Sequence, residues 1–115
     1  MTNDFPALRN ELREGYRDLM RAIPDQMKGF GDLHRAAVKD GALPQATKEL
    51  MAVAIAICTR CDDCITLHMH DALRAGATPE MVHEAIGVAL LMGGGPASTY
   101  ATHALRALGQ FSAEQ

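Results

Sequence analysis

Every residue from position 50 to position 58 is apolar, and this run constrains the fold of the 115-residue chain more than any other feature. It is too short to span a bilayer, which takes about 20 apolar residues in a helix. A helix that is apolar on every face is buried on all sides. A buried strand over residues 53–57 is the competing interpretation, but the alanines of the run and its long helical flank favour a helix. We therefore expect a buried helix here.

Six helical segments with short connections are predicted along the chain. Pro24 ends the first, Gly41 the second and Gly76 the fourth, while the stretch from Gly93 to Pro96 separates the fifth from the sixth. The apolar residues are mostly Ala, Leu, Val, Ile and Met, which suit close helix packing better than strand faces. The expected helices are about 5–22, 25–40, 44–59, 62–75, 79–92 and 96–108.

The expected fold class is all-α, a compact bundle of about six helices. The length favours a single domain over residues 1–115, with residues 1–24 as its N-terminal helix and residues 110–115 as a frayed tail. A chain this short has little protein with which to cover residues 50–58. Burial of apolar area at roughly 25 cal/mol per Å² favours association, so we expect a homo-oligomer.

The net charge of −3 argues against nucleic-acid binding, which needs a basic patch or stripe. No apolar run is long enough to predict a membrane span. The first residues lack a basic region followed by an apolar run, so we expect no signal peptide and a cytoplasmic protein. Thiols stay reduced in that compartment, and a close cysteine pair there is more often catalytic or metal-binding than structural.

Two cysteines and a histidine share one stripe at the start of the fourth predicted helix. Cys61 and Cys64 are three residues apart, and His68 follows Cys64 by four, so the three side chains are neighbours on a helix. The spacing of the cysteines falls within the Cα separation of about 4.4–6.8 Å that a disulfide needs. The pair can therefore open and close with little backbone movement.

The position of this pair also favours a reactive thiol. The unpaired N–H groups and the dipole at a helix N-terminus favour an anion. A Cys-x-x-Cys pair placed there can lower a thiol pKa from about 8.5 to about 7. The thiolate share at neutral pH then rises from roughly 3% to roughly half. Asp62 and Asp63 act in the opposite direction, since nearby negative charge disfavours a thiolate.

Glu49 lies at the polar edge of the apolar third helix. If the third and fourth helices fold back on each other at Arg60, Glu49 can approach His68 and the cysteines. A carboxylate that accepts one imidazole N–H fixes the tautomer and makes the other ring nitrogen a better base. Glutamate, histidine and thiol then form a plausible proton relay.

A glutamate twelve residues before a Cys-x-x-Cys-x-x-x-His motif is a far more specific pattern than Cys-x-x-Cys alone. Three further stretches accompany it: Gly41-Ala42-Leu43-Pro44, Ala75-Gly76-Ala77-Thr78 and Met92-Gly93-Gly94-Gly95-Pro96-Ala97. Together these features resemble the AhpD-like branch of the carboxymuconolactone decarboxylase superfamily, and the resemblance covers about residues 25–108.

This resemblance implies an all-α fold, assembly as trimers or hexamers, and thiol-dependent reduction of hydroperoxides. It implies that Cys64 is oxidised to the sulfenic acid, that Cys61 is proton donor and resolving thiol, and that Glu49 and His68 form the relay. Asp63 stands where well-known members have a second histidine. The expected partners are a hydroperoxide substrate and a dithiol or thioredoxin-like reductant, with no metal, organic cofactor, nucleic acid or membrane.

Other interpretations stay open. Zinc is the chemical rival, since Cys61, Cys64 and His68 are three possible ligands. A fourth ligand could come from the remaining histidines, His34, His70, His83 and His103. A lactone decarboxylase of the same superfamily is the runner-up enzyme, although its chemistry does not need a redox pair. The non-enzyme alternative is a redox-sensing oligomer that forms the disulfide without turnover.

Three features receive structural interpretations. Cys58 is interpreted as a small buried hydrophobe. The Gly93–Gly95 run is a helix breaker that lets two helices pack closely, because no strand precedes it and no Lys-Ser/Thr follows it. His70 lies on a different face from His68 and is assigned to surface or packing.

Overall fold

Helices account for nearly all of the chain in the computed structural model, which describes residues 3–114. Neither strand nor bridge occurs within that range. The helices are α1 (Phe5–Ala22), α2 (Pro24–Val38), α3 (Gln45–Cys58), α4 (Asp62–Arg74) and α5 (Pro79–Ser112). The expected all-α class is therefore confirmed, and the first four predicted helices agree with the structure to within two residues at each end.

The number of helices differs from the prediction, because the glycine-rich stretch kinks a helix instead of ending it. Gly94 alone leaves the helical conformation, with φ 68° and ψ −150°, and α5 runs on through Pro96. Only glycine adopts that backbone conformation readily. The predicted fifth and sixth helices are thus the two arms of one kinked helix.

The predicted frayed tail began at residue 110, but the structure keeps residues 110–112 helical and anchored. The prediction was therefore wrong for these three residues. α5 extends to that residue, and Phe111 is buried. The side chain of Gln110 accepts a hydrogen bond from the backbone N–H of Phe5 at 2.8 Å and donates one to the backbone oxygen of Asn3 at 2.9 Å. These two hydrogen bonds therefore connect the last turns of α5 to the start of α1. Gln115 lies outside the described residues.

The apolar third helix packs between α4 and α5. Val53 and Ile57 are fully buried, as are Ile65 and Met69 on α4. The expectation of burial on every side was wrong for the single chain, because the side chains of Met51 and Ile55 on the opposite face are 50% and 61% exposed. α3 thus has a core face and an uncovered apolar face.

A close approach between α3 and α5 depends on Gly93. A Cβ atom at this position would lie 3.0 Å from the sulfur of Cys58 and 2.5 Å from the Cβ of Ala97. The thiol of Cys58 is half-buried and donates to the backbone oxygen of Ala89 at 3.5 Å. This agrees with the packing roles predicted for the cysteine and for the glycine run.

α1 and α2 are joined at Ile23 and contact each other, and α1 also lies against α4 and α5. Phe5 at the start of α1 is fully buried, and its backbone oxygen accepts a hydrogen bond from Thr66 of α4 at 2.5 Å. No residue of α2 is fully buried. Within residues 3–114, each helix is either too short or too polar to span a bilayer.

Candidate active site

The turn between α3 and α4 fixes the backbone of Cys61. The N–H of Cys61 donates to the oxygen of Ala56 at 3.0 Å, and the N–H of Arg60 donates to the oxygen of Ile57 at 3.2 Å. These two bonds form a Schellman motif, in which the residue after the C-cap is usually a glycine in the left-handed region. Arg60 occupies that region here, with φ 57°. Cys61 then starts α4 as its N-cap.

Cys61 and Cys64 form a disulfide, with their Cα atoms 5.2 Å apart. The sulfur of Cys61 also accepts a hydrogen bond from the backbone N–H of Cys64 at 3.2 Å, which is the role that a serine or aspartate oxygen usually has at an N-cap. An N–H directed at this sulfur would stabilise a thiolate on Cys61 after reduction. His68 follows one turn after Cys64, so the two sulfurs have different polar neighbours.

Glu49 and His68 are in direct contact, as expected if α4 folds back on α3 at Arg60. The carboxylate of Glu49 is 1% exposed, and its Oε1 lies 2.7 Å from Nδ1 of His68. An ionised carboxylate accepts a hydrogen from Nδ1, which leaves the lone pair on Nε2 of the neutral ring. His68 is half-buried, so its ring can accept a proton from a neighbouring group while Glu49 stabilises the resulting charge.

A small cavity of about 160 Å³ adjoins Cys64 and His68. Its walls come from α1, α2 and α4 and are largely apolar. The lining residues are Leu12, Tyr16, Phe30, His34, Asp63, Cys64, Leu67 and His68. A wider groove of about 460 Å³ between α1 and α2 shares three of them, Tyr16, Phe30 and His34. Cys64 therefore borders an apolar cavity that shares part of its wall with the wider groove.

His34 is the functional candidate that was hardest to identify from the sequence. Its ring centroid lies 5.8 Å from that of His68, and it lines both apolar cavities as well as a polar one of about 480 Å³. In the sequence it was one of four histidines that could complete a zinc site. No periodicity links α2 to α4, so only the packing of the helices reveals the proximity.

The two aspartates between the cysteines have different surroundings. The carboxylate of Asp62 lies 2.8 Å from Nδ1 of His103 on α5 and accepts a hydrogen bond from Asn3 at 3.0 Å. Asp63 is exposed and lines the cavity beside Cys64. His103, to which the sequence assigned no role, thus connects α5 to the first turn of α4.

The ligand set considered for zinc from the sequence is not fully available in the oxidised chain. Both sulfurs are joined in the disulfide. His103 pairs with Asp62, and His70 lies 3.1 Å from Asp71 and packs edge-on against Phe111. His83 is exposed on α5. Only His34 among these histidines lies beside His68.

A profile of the carboxymuconolactone decarboxylase family matches residues 24–107 of the chain. An uncharacterized protein of Cupriavidus necator is 42% identical over 105 residues, which cover 91% of this chain and 93% of that protein.

Solved structures of two family members are also similar. A protein of this family from Legionella pneumophila superimposes with a TM-score of 0.92 at 38% identity, over 96% of this chain and 99% of that one. A family member from Thermotoga maritima, whose suggested role is in an antioxidative response, superimposes with a TM-score of 0.72 at 32% identity. That match covers 77% of this chain and 92% of that one.

Proposed function

The chain belongs to the carboxymuconolactone decarboxylase family, and we propose that it is an AhpD-like, thiol-dependent peroxidase that reduces hydroperoxides. The observation that carries the proposal is the 2.7 Å hydrogen bond between Glu49 and His68, one helical turn from a Cys61–Cys64 disulfide. The redox pair supplies the thiols for this chemistry, the imidazole can serve as the base that activates one of them, and the buried carboxylate orients that imidazole. The suggested antioxidative role of the Thermotoga maritima relative agrees with it.

The proposed cycle begins with the reduced pair. Nε2 of His68 takes the proton of the Cys64 thiol, while Glu49 holds Nδ1 and stabilises the imidazolium. The Cys64 thiolate attacks the terminal oxygen of the hydroperoxide, so that an S–O bond forms and the O–O bond breaks. The alkoxide that leaves takes up a proton from the relay and departs as an alcohol. Cys64 is then a sulfenic acid.

The second half of the cycle restores the thiols. The sulfur of Cys61 attacks the sulfur of the Cys64 sulfenic acid, which releases water and forms the disulfide. An external dithiol or thioredoxin-like protein then reduces the disulfide by exchange and is itself oxidised. Each turnover therefore consumes one hydroperoxide and one dithiol, and it yields one alcohol and one water.

Steady-state kinetics test the proposal. Reduced protein is mixed with a hydroperoxide and an excess of dithiol donor, and consumption of the hydroperoxide is followed over many equivalents. Sustained consumption that depends on both cysteines supports the peroxidase. A single equivalent consumed per chain, with no further turnover, would identify a redox sensor instead. A screen of several hydroperoxides against several dithiol donors then identifies the preferred pair.

A further inference from the structure

Four potential metal ligands converge next to the relay, although they lie on three different helices. His34 of α2, Glu49 of α3, and His68 and Asp71 of α4 each place one ligand atom within 4.8 Å of every other. Glu49 is buried and the other three are half-buried. Two imidazoles and two carboxylates form a donor set that suits zinc and related divalent cations.

From this convergence we infer that His34, Glu49, His68 and Asp71 form a binding site for a divalent first-row transition cation, represented by Zn²⁺. Zinc bonds to nitrogen and oxygen of about 2.0–2.2 Å place tetrahedral ligand atoms about 3.3–3.5 Å apart. No pair of ligand atoms therefore has to close by more than about 1.5 Å. Such a shift lies within the reach of side-chain rotation.

Access to the site is provided by the polar cavity of about 480 Å³, which His34, Glu49 and Asp71 line. With neutral imidazoles the four ligands carry two negative charges, which a divalent cation neutralises. Arg35 and Arg74 line the same cavity and oppose a cation there. Arg35 is paired with Asp32, which offsets part of its charge. We therefore expect exchangeable binding.

The bound cation would switch off the proton relay, a consequence that rests on the proposed function. A neutral imidazole has one nitrogen lone pair in the ring plane and one N–H. Whichever nitrogen of His68 binds the cation, the other one then carries the hydrogen and has no lone pair to accept a proton. Glu49 is likewise occupied as a ligand. The site is thus an inhibitory metal site that shares two residues with the catalytic machinery.

Zinc binding is tested first on the oxidised protein, in which the disulfide removes both thiols as ligands. Calorimetric titration with Zn²⁺ should show one ion per chain, and His34→Ala or Asp71→Asn should weaken binding about tenfold or more. His83→Ala removes an exposed imidazole of α5 and should leave the affinity unchanged. Circular dichroism of each variant verifies that it is folded. Absence of saturable binding, or equal binding by wild type and both variants, would overturn the site.

Inhibition is tested separately on the reduced protein, freed of dithiol, in a single turnover with hydroperoxide. Zn²⁺ should slow oxidation of the wild type, and excess chelator should restore it. If the cation acts through the proposed ligands, His34→Ala and Asp71→Asn should each require about tenfold more Zn²⁺ for the same inhibition. Equal inhibition in the variants would show that zinc acts on the thiols and would refute the inhibitory role. Zinc binding to a protein without peroxidase activity would refute the proposed function and leave the metal site standing.

Discussion

Glu49 and His68 are 19 residues apart in the chain, yet their Oε1 and Nδ1 atoms lie 2.7 Å apart. The carboxylate belongs to the helix that forms the centre of the core, and the imidazole to the helix that carries the redox pair. The position of His68 therefore depends on a buried carboxyl group that the core itself holds in place.

The relay predicts a characteristic pH dependence for Glu49→Gln and His68→Ala. An ordinary thiol with a pKa of about 8.5 is roughly 3% ionised near pH 7, so His68→Ala, which removes the base, should slow oxidation by up to about 30-fold there, and Glu49→Gln, which keeps the base, should slow it by less. Above about pH 9 the thiol ionises unaided, and the deficit should largely disappear. Stopped-flow oxidation rates across this range provide the measurement. The exposed Glu84→Gln is the control, and a deficit that did not change with pH would exclude a role in deprotonation.

Organic hydroperoxides should be better substrates than hydrogen peroxide. The cavity beside Cys64 has apolar walls, and burial of even two methylene-sized groups contributes about 1–2 kcal/mol, or about tenfold in kcat/KM. Phe30→Ala should reduce kcat/KM for tert-butyl hydroperoxide and leave that for hydrogen peroxide nearly unchanged. Leu33→Ala is the matched control, because Leu33 lies on the same helix and does not line the cavity. A uniform preference for hydrogen peroxide would contradict the assignment of this cavity to the substrate.

Two glycines of α5 should respond in opposite ways to alanine. Gly93→Ala places a Cβ atom against Ala97 and the sulfur of Cys58 and should lower the free energy of unfolding by about 1–3 kcal/mol. Gly87→Ala meets no atom within 4 Å and should raise it by up to about 1 kcal/mol, since alanine favours the helix. Urea denaturation measures both. Equal effects would show that the close approach of α3 and α5 does not constrain residue 93.

The uncovered apolar faces predict a homo-oligomer, and the resemblance to the AhpD-like branch implies a trimer or a hexamer built from it. Met51 and Ile55 of α3 are at least half-exposed in the single chain, and on α5 Leu91 is 80% and Met92 77% exposed. Burial of such side chains contributes about 1.5–3 kcal/mol each. Light scattering at micromolar concentration should therefore return a mass above that of one chain. A monomer would refute this prediction.

A charge placed on the exposed apolar surface of α5, at Leu91, tests whether this surface forms the contact between copies. Leu91→Glu should dissociate the oligomer, because a carboxylate would be buried without a partner. Ser112→Glu adds the same charge at an exposed position near the end of α5 and should leave the mass unchanged. If Leu91→Glu assembles like the wild type, this face is not the contact between copies.

Local signals allowed most of the fold to be predicted. Pro24 and Gly76 act on the residues beside them, so the ends of α1 and α4 follow from the sequence. The kink at Gly94 could not be distinguished from a helix end, because the outcome depends on how α5 packs on α3. The anchored end of α5 was missed, since Gln110 bonds to Phe5 at a separation of 105 residues.

The candidate site likewise contains residues that local sequence spacing predicts and a residue that only helix packing brings in. Helical spacing of three and four residues places Cys61, Cys64 and His68 along one side of α4. Glu49 reaches His68 because a tight turn joins α3 to α4. His34 lies on a helix whose position is set by packing alone, and no spacing in the sequence places it beside His68. The sequence predicted that a chain this short covers residues 50–58 incompletely, but an apolar run does not reveal which of its side chains stay exposed.

The most direct test of the account is the intact mass of reduced protein after treatment with one equivalent of hydroperoxide. The wild type should lose two hydrogens as the Cys61–Cys64 disulfide forms. Cys61→Ser should gain one oxygen, trapped on Cys64 and detectable with a sulfenic-acid reagent, and Cys64→Ser should show neither change. Rapid oxidation of Cys64→Ser together with an inert Cys61→Ser would reverse the assignment and favour the sulfur that accepts the Cys64 N–H. If neither substitution alters the reaction with hydroperoxide, the thiol peroxidase account is wrong.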